Sequence, residues 1–279
     1  NGYSTNTGRT YIFNNDGTLP TTAVTADNII TGENPNDYFG SSLITGDFDY
    51  DMDNDLIVGA YGYSTNTGRA YIFNNDAGYP TLAADSDIKI DGETVNNYFS
   101  SAFTKGDFNN DNRTDLAVGA YGYSTNKGRV YIFNNDGTVP VLAANADNMI
   151  TGEDYNNYFG YSMTSADFNA DSKIDLGVGA YGFGSNKGNS YIFYGDGSIP
   201  ALADNADAVI GGNTSGDKLG TAVMGGDFNG NRKDDLCVGY IGSTWQGGFY
   251  IYEVDAEGTK PDYVKNRGGG KVRGTVRMR

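Results

Sequence analysis

A 60-residue period free of insertions or deletions, a Tyr-Ile-Phe strand signature in each period, and 41 Gly set among Asn-Asp turns predict an all-β fold. The architecture they predict is a β-propeller of four-stranded blades, with four complete blades and one partial blade. "GYSTNTGRTYIFNND" begins at residue 2 and returns at 62 and 122, then as "GFGSNKGNSYIFYGD" at 182 and as a decayed copy at 242. Pro20, Pro80, Pro140 and Pro200 keep the same step, as do Asp27, Asp87, Asp147 and Asp207. A β-solenoid coil is much shorter than 60 residues, and helical repeats lack this strand chemistry.

Each period holds four expected strands. The first covers Tyr38 to Phe48 and the second Leu56 to Tyr63, an apolar run. The third, Arg69 to Phe73, alternates Tyr71 and Phe73 with Ala70 and Ile72, and the fourth lies at Asp87 to Ile90. Turn signals such as Asn15-Asp16-Gly17 and Asn66-Thr67-Gly68 separate them. The propeller then occupies residues 1–253: a partial blade at 1–37 and repeats at 38–97, 98–157, 158–217 and 218–253. The first copy lacks its inner strand and acidic loop. The chain opens on Asn1 with no apolar signal region, and reads as a processed or partial product.

Composition narrows function. A net charge of −16 disfavours a nucleic-acid partner and suits a cationic one. No apolar run is long enough to span a membrane. The chain has no His, so a Ser/His/Asp set is impossible, and Cys237 has no His partner. Cys237 stands where other repeats have Ile57, Ala117 and Gly177, which suits a small buried filler. The expectation is a protein without catalytic residues.

The strongest chemical signal lies between the first and second strands. The four loops read "DFDYDMDND" from 47, "DFNNDNRTD" from 107, "DFNADSKID" from 167 and "DFNGNRKDD" from 227. Positions one, three, five and nine are always Asp or Asn. These are Asp47, Asp49, Asp51 and Asp55; Asp107, Asn109, Asp111 and Asp115; Asp167, Asn169, Asp171 and Asp175; and Asp227, Asn229, Asn231 and Asp235. Alternating oxygen-bearing side chains on a tight loop aim at one centre, as a hard divalent cation requires. Position seven (Asp53, Arg113, Lys173 and Lys233) supplies a backbone carbonyl to the expected shell. Up to four Ca²⁺ are expected, which would bring −16 to −8. Position six, where such loops turn left-handed, holds Met52, Asn112, Ser172 and Arg232 instead of Gly. The plainer reading is a set of solvated acidic turns.

This combination resembles the FG-GAP repeat of integrin α-subunit propellers. The residues that carry it are Phe39-Gly40, the Asp loop and Gly59-Ala60-Tyr61, with later copies at Phe99-Ser100, Phe159-Gly160 and Leu219-Gly220. The resemblance covers about residues 2 to 253. It implies calcium in the hairpins on one face, ligands meeting the opposite face, and an extracellular or cell-surface protein acting in adhesion or structural assembly. Integrin propellers have seven repeats, whereas this sequence has four complete ones.

Three further features bear on partners. Residues 254–279 carry seven basic and three acidic side chains, a net +4, and "KVRGTVRMR" alternates as an edge strand would. This tail is expected as the fourth strand of the last blade, or as a strand filling an edge in its own ring or a neighbour's, which would build head-to-tail filaments. Tyr3, Tyr63, Tyr123 and Phe183 lie beside Ser, Thr and Asn, and Trp245 occupies the last copy. They suit either packing between blades or a glycan, the latter making a lectin-like module the alternative function; an accessory domain of a hydrolase is the third. Asn112 and Asn213 head N-glycosylation triplets, the first inside an acidic loop where a glycan would crowd an ion.

Overall fold

The computed structural model describes residues 4–17, 21–76, 78–242, 247–252 and 275–278, the last four by their backbone. The expectations attached to Tyr3, Trp245 and most of the basic tail lie outside them. Strands β1 (Arg9–Ile12) and β2 (Asn28–Thr31) pair as the partial blade. The first complete blade is β3 (Ser42–Gly46), β4 (Asp55–Ala60), β5 (Arg69–Phe73) and β6 (Ile88–Asp91). The second is β7 (Phe99–Gly106), β8 (Asp115–Ala120), β9 (Arg129–Phe133) and β10 (Asn148–Thr151). The third is β11 (Ser162–Ala166), β12 (Asp175–Ala180), β13 (Asn189–Phe193) and β14 (Ala208–Gly211). The last sheet holds β15 (Ala222–Gly226), β16 (Asp235–Tyr240) and β17 (Gly248–Tyr252). Strand β18 (Thr275–Met278) follows.

Up to β17 every sheet is an antiparallel meander in chain order, and the first strands β3, β7, β11 and β15 lie against one another in succession. These are propeller blades. The second strands β4, β8 and β12 are buried at every residue, because each is covered on both faces by neighbouring sheets. Period-two alternation divides each strand between two cores. Leu56 and Val58 join Ile30 and Phe39 on one side, while Ile57 and Ile72 join Phe99, Leu116 and Tyr131 on the other. The same division recurs between the second and third blades and between the third and the last.

One aromatic side chain plugs each of the first three junctions. Phe39, Phe99 and Phe159 meet Tyr71, Tyr131 and Tyr191 edge to face, with ring centroids 5.3–5.4 Å apart. Leu219 takes this place in the last. Backbone bonds stitch the same seams: Tyr98 N donates to Asn66 O at 2.8 Å, and Phe99 N to Thr67 O at 3.2 Å. Glycine is required there. A Cβ on Gly68, whose φ is +86°, would lie 2.1 Å from Phe99 O, and Gly8, Gly128 and Gly188 are equally confined.

That stitching explains where the strands depart from expectation. The second strand ends at Ala60, not at Tyr63; the chain then turns, with Ser64, Thr65 and Asn66 at φ +48°, +59° and +60°. Gly62 N donates to Asp37 O, and Thr65 O accepts from Asn96 N, just ahead of the following repeat. The first strand is shorter than Tyr38–Phe48, because Tyr38 and Phe39 serve the seam before β3 begins. The third strand matches its expected bounds, and the fourth is displaced by one residue. The tail strand β18 pairs antiparallel with β14, making a five-stranded sheet, and does not complete the sheet of β15–β17. Unlike β2, β6 and β10, the edge strand β14 carries no polar side chain.

Candidate metal centre

Pairing of Gly46 with Asp55 closes the β3–β4 ladder and projects residues 47–54 as a loop; the other three blades repeat this. Within each loop the side chains fold the backbone. Asp47 accepts the N–H groups of Asp51 and Met52 at 3.2 and 3.1 Å. Asp49 accepts Asp51 N, and Asp51 accepts Asp53 N at 2.8 Å. The same nested turns form around Asp107, Asn109 and Asp111, around Asp167, Asn169 and Asp171, and around Asp227, Asn229 and Asn231. Asn and Asp are interchangeable as acceptors here, which is why both occur at positions three and five.

Position nine does something different. Asp55 is fully buried and accepts two N–H groups, Phe48 at 2.7 Å and Asn75 at 3.2 Å. Asp115 and Asp175 do the same with Phe108 and Asn135, and with Phe168 and Gly195, at 2.8–2.9 Å. This carboxylate clamps the loop to the turn after the third strand. Asp235 accepts from Phe228 N and Asn229 Nδ2. The spacing alone gave position nine a ligand role and missed this clamp.

Two left-handed residues bend each loop. Position six has φ of +76° at Met52, +65° at Asn112, +69° at Ser172 and +68° at Arg232. Position four matches it, at Tyr50, Asn110, Ala170 and Gly230, a requirement the sequence did not advertise. Each such residue other than Gly or Asn costs on the order of 1–2 kcal/mol.

The bends gather carboxylates. Oxygens of Asp47, Asp49 and Asp55 lie within 4.8 Å of one another, and so do those of Asp49, Asp51 and Asp76. Asp76 was not anticipated. Its signal is its phase: Asp136 and Asp196 stand at the same place, but they accept bonds from Thr138 and Ser198, whereas Gly78 offers no hydroxyl. The other loops carry Asn at position three, so they gather fewer charges. The side chains at position seven stay out of these groups where their contacts are seen: Arg113 Nη1 donates to Asn135 O, and its guanidinium lies 4.8 Å over the Tyr50 ring.

Electrostatics agree with this crowding. Burial, then the charges of Asp55, Asp51 and Asp76, holds the Asp49 carboxyl above its ordinary range. Burial pushes Asp55 up, and Asp115 and Asp175 up to about 6 against the pull of their backbone N–H bonds. Asp227 goes the other way, lowered first by its bond from Arg232 N. Carboxylates raised by burial and mutual repulsion, with oxygens facing one centre, fit a hard cation, whose charge removes both penalties. The donor set, carboxylate and amide oxygen without sulfur or imidazole, suits Ca²⁺.

At the opposite ends of the blades, the rings of Tyr63 and Tyr123 are engaged in packing. Arg69 and Arg129 lie 3.8 and 3.7 Å over the rings of Tyr63 and Tyr123, and Arg69 pairs with Asp91 and Glu33. Burial pushes the Cys237 thiol up, which suits a filler and not a nucleophile.

A family model described as the FG-GAP repeat matches residues 39–73 and 99–133, each running from the plugging Phe through the acidic loop to the end of the third strand. The chain carries FG-GAP repeats. Relatives include the human phosphatidylinositol-glycan-specific phospholipase D, 34% identical over 59% of this chain and 21% of that protein. Integrin alpha-PS2 of Drosophila melanogaster is 28% identical over 82% of this chain and 17% of its own length. Integrin alpha-M of Mus musculus is 34% identical over 55% of the chain and 14% of its own. The FG-GAP chain thus spans about a fifth or less of these proteins.

Proposed function

We propose that this FG-GAP chain is a non-catalytic, calcium-stabilised propeller of an extracellular or cell-surface protein, serving adhesion or structural assembly through protein partners or copies of itself. One observation carries the reading: four loops, one per blade, fold their oxygen-bearing side chains through the same nested turns, and in the first the carboxylates of Asp47, Asp49 and Asp55 converge. The ligands are the side chains at positions one, three, five and nine, with the backbone carbonyls of Asp53, Arg113, Lys173 and Lys233. Asp76 joins the first loop's set. Bound calcium offsets the negative charge gathered in the loops and holds the β3–β4 type hairpins to the blade. The integrin relatives support adhesion, and no described helix is long and apolar enough to cross a membrane.

Thermal unfolding with and without calcium tests this. Four sites at calcium 100-fold above their Kd contribute about 2.7 kcal/mol each, so chelation is expected to lower Tm by well over 10 °C. A melt indifferent to chelator rejects the proposal. A carbohydrate-binding role is a second reading, favoured by an open cavity of ≈ 610 Å³ that Asn34, Asn36, Tyr38, Tyr63, Ser64 and Asn66 line among others. Glycan-array binding that Tyr38→Ala abolishes would favour it. The phospholipase relative keeps an accessory role beside a hydrolase as the third.

A further inference from the structure

A polar path joins each acidic loop to the next. Asp47 O in the first loop accepts a bond from Asn135 Nδ2 at 3.3 Å, across the seam, in the turn after β9. The N–H of the same Asn135 donates to Asp115, position nine of the second loop, at 2.9 Å. The second loop repeats the step with different atoms. Asn110 Nδ2 donates to Gly195 O, and Gly195 N to Asp175 of the third loop, both at 2.9 Å. The third loop meets the fourth directly, Asp167 N donating to a carboxylate oxygen of Asp234 at 3.2 Å.

Asn75 supplies a contrast. It holds the place in the first blade's turn that Asn135 holds in the second, and its N–H donates to Asp55 in the same way. No acidic loop precedes Asn75 in this sequence, and it is exposed. Asn135, against the first loop, is only 4% exposed. A buried side-chain amide needs a partner, and the main chain of the first loop provides it. Arg113 adds a second link between the same two loops. Its Nη1 donates to Asn135 O at 3.1 Å, while its guanidinium covers the Tyr50 ring of the first loop.

The atoms involved decide what this path transmits. Asp47 is the seam acceptor through its carbonyl, and its carboxylate folds its own loop by taking the N–H groups of Asp51 and Met52. Asp167 likewise reaches Asp234 through its N–H and holds Asp171 and Ser172 through its carboxylate. Fixing the main chain of position one from outside therefore restricts the carboxylate that orders the loop. Exposed loops open locally while the blades stay folded, so each has an ordered and a loosened state that a neighbour biases. We propose that Asn135 is a positioning residue relaying order between the first and second acidic loops, so that a cation held in one raises the affinity of the other. By linkage the effect is reciprocal. The cation part rests on the metal reading above; the relay rests on the seam alone.

A double-mutant cycle on the full chain, read by amide hydrogen exchange of Asp51 and Met52 in the first loop, tests this. Asp111→Ala loosens the second loop, because Asp111 accepts Arg113 N. It is expected to speed exchange in the first loop at least about fivefold. In a background of Asn135→Ala with Tyr50→Ala, which severs both links, it is expected to leave that exchange unchanged. Ala170 shows that position four takes Ala in this backbone. Asn135→Gly, the residue of the third blade, substitutes for Asn135→Ala should that variant fold poorly. Asn75→Ala is the matched control and is expected to keep the full response. A first loop that ignores Asp111→Ala in the wild-type background overturns the proposal, and so does a response that survives in the severed background or vanishes in the control. Running the cycle in chelator and in calcium separates the failures. Calcium that slows exchange in the loops, without any response across the seam, rejects the relay alone. A relay seen in chelator, with exchange that calcium leaves unchanged, rejects the metal role alone.

Discussion

The first and last acidic loops share a backbone and differ in charge. Residues 47–55 hold five Asp; residues 227–235 hold three, with Asn229 and Asn231 at the central positions and Arg232 and Lys233 beside them. Yet both loops form the same nested turns and both place position six in the left-handed region. The turn is therefore written in acceptor oxygens, which Asn provides as well as Asp. Negative charge is a separate variable laid over it, and its consequences diverge: Asp49 is raised by burial and repulsion, while Asp227 is lowered by the N–H groups it accepts. Cation affinity should follow the charge and not the fold of the loop.

The comparison breaks most visibly at position nine. Asp55→Ala strands the buried N–H groups of Phe48 and Asn75 and is expected to destabilise by about 3 kcal/mol, whereas Asn231→Ala in the last loop, which frees the solvent-exposed N–H of Lys233, costs well under half of that. Equilibrium urea unfolding of the two variants measures the gap, and equal losses would mean that the clamp is not what holds the loop. Next in size is Asp49→Asn, which gives the first loop the position-three residue of the others. Calorimetric titration is expected to show roughly tenfold weaker calcium binding at one site, with the loop's turn intact because Asn accepts the Asp51 N–H equally well. Smallest is Met52→Gly. Met52 is 91% exposed at φ +76°, so the substitution relieves backbone strain without losing packing and should stabilise the calcium-free chain by up to about 1 kcal/mol. The same change at Arg232 should do likewise, and a loss at either position would show that the left-handed turn is not strained.

Much of this was legible in the residues because repetition turns weak local signals into strong ones. Arg69–Phe73 declared itself by alternation, and Leu56–Ala60 by an unbroken apolar run whose burial on both faces the propeller then supplied. What stayed hidden depends on atoms far away in sequence. Ser64 and Thr65 are ordinary residues; only the seam between Thr65 O and Asn96 N requires their left-handed backbone. Asp76 reads locally as one more turn residue, and it gains an acidic neighbourhood only because the β3–β4 loop folds over it. The destination of the tail was equally silent. An alternating basic segment is recognisable as a strand, but the edge it joins, that of β14 about 65 residues earlier, is not written in the segment itself.

The seam around Gly68 and Phe99 carries a wider implication. Each module meets its successor through the same few backbone atoms, with a glycine where no side chain fits, so the angle between neighbours is dictated locally and identically every time. Lengthening such a gene by duplicating 180 nucleotides would need no new contact to be invented. The number of modules in a ring or an arc is then a question of geometry per step, open to gain and loss without disturbing any interior.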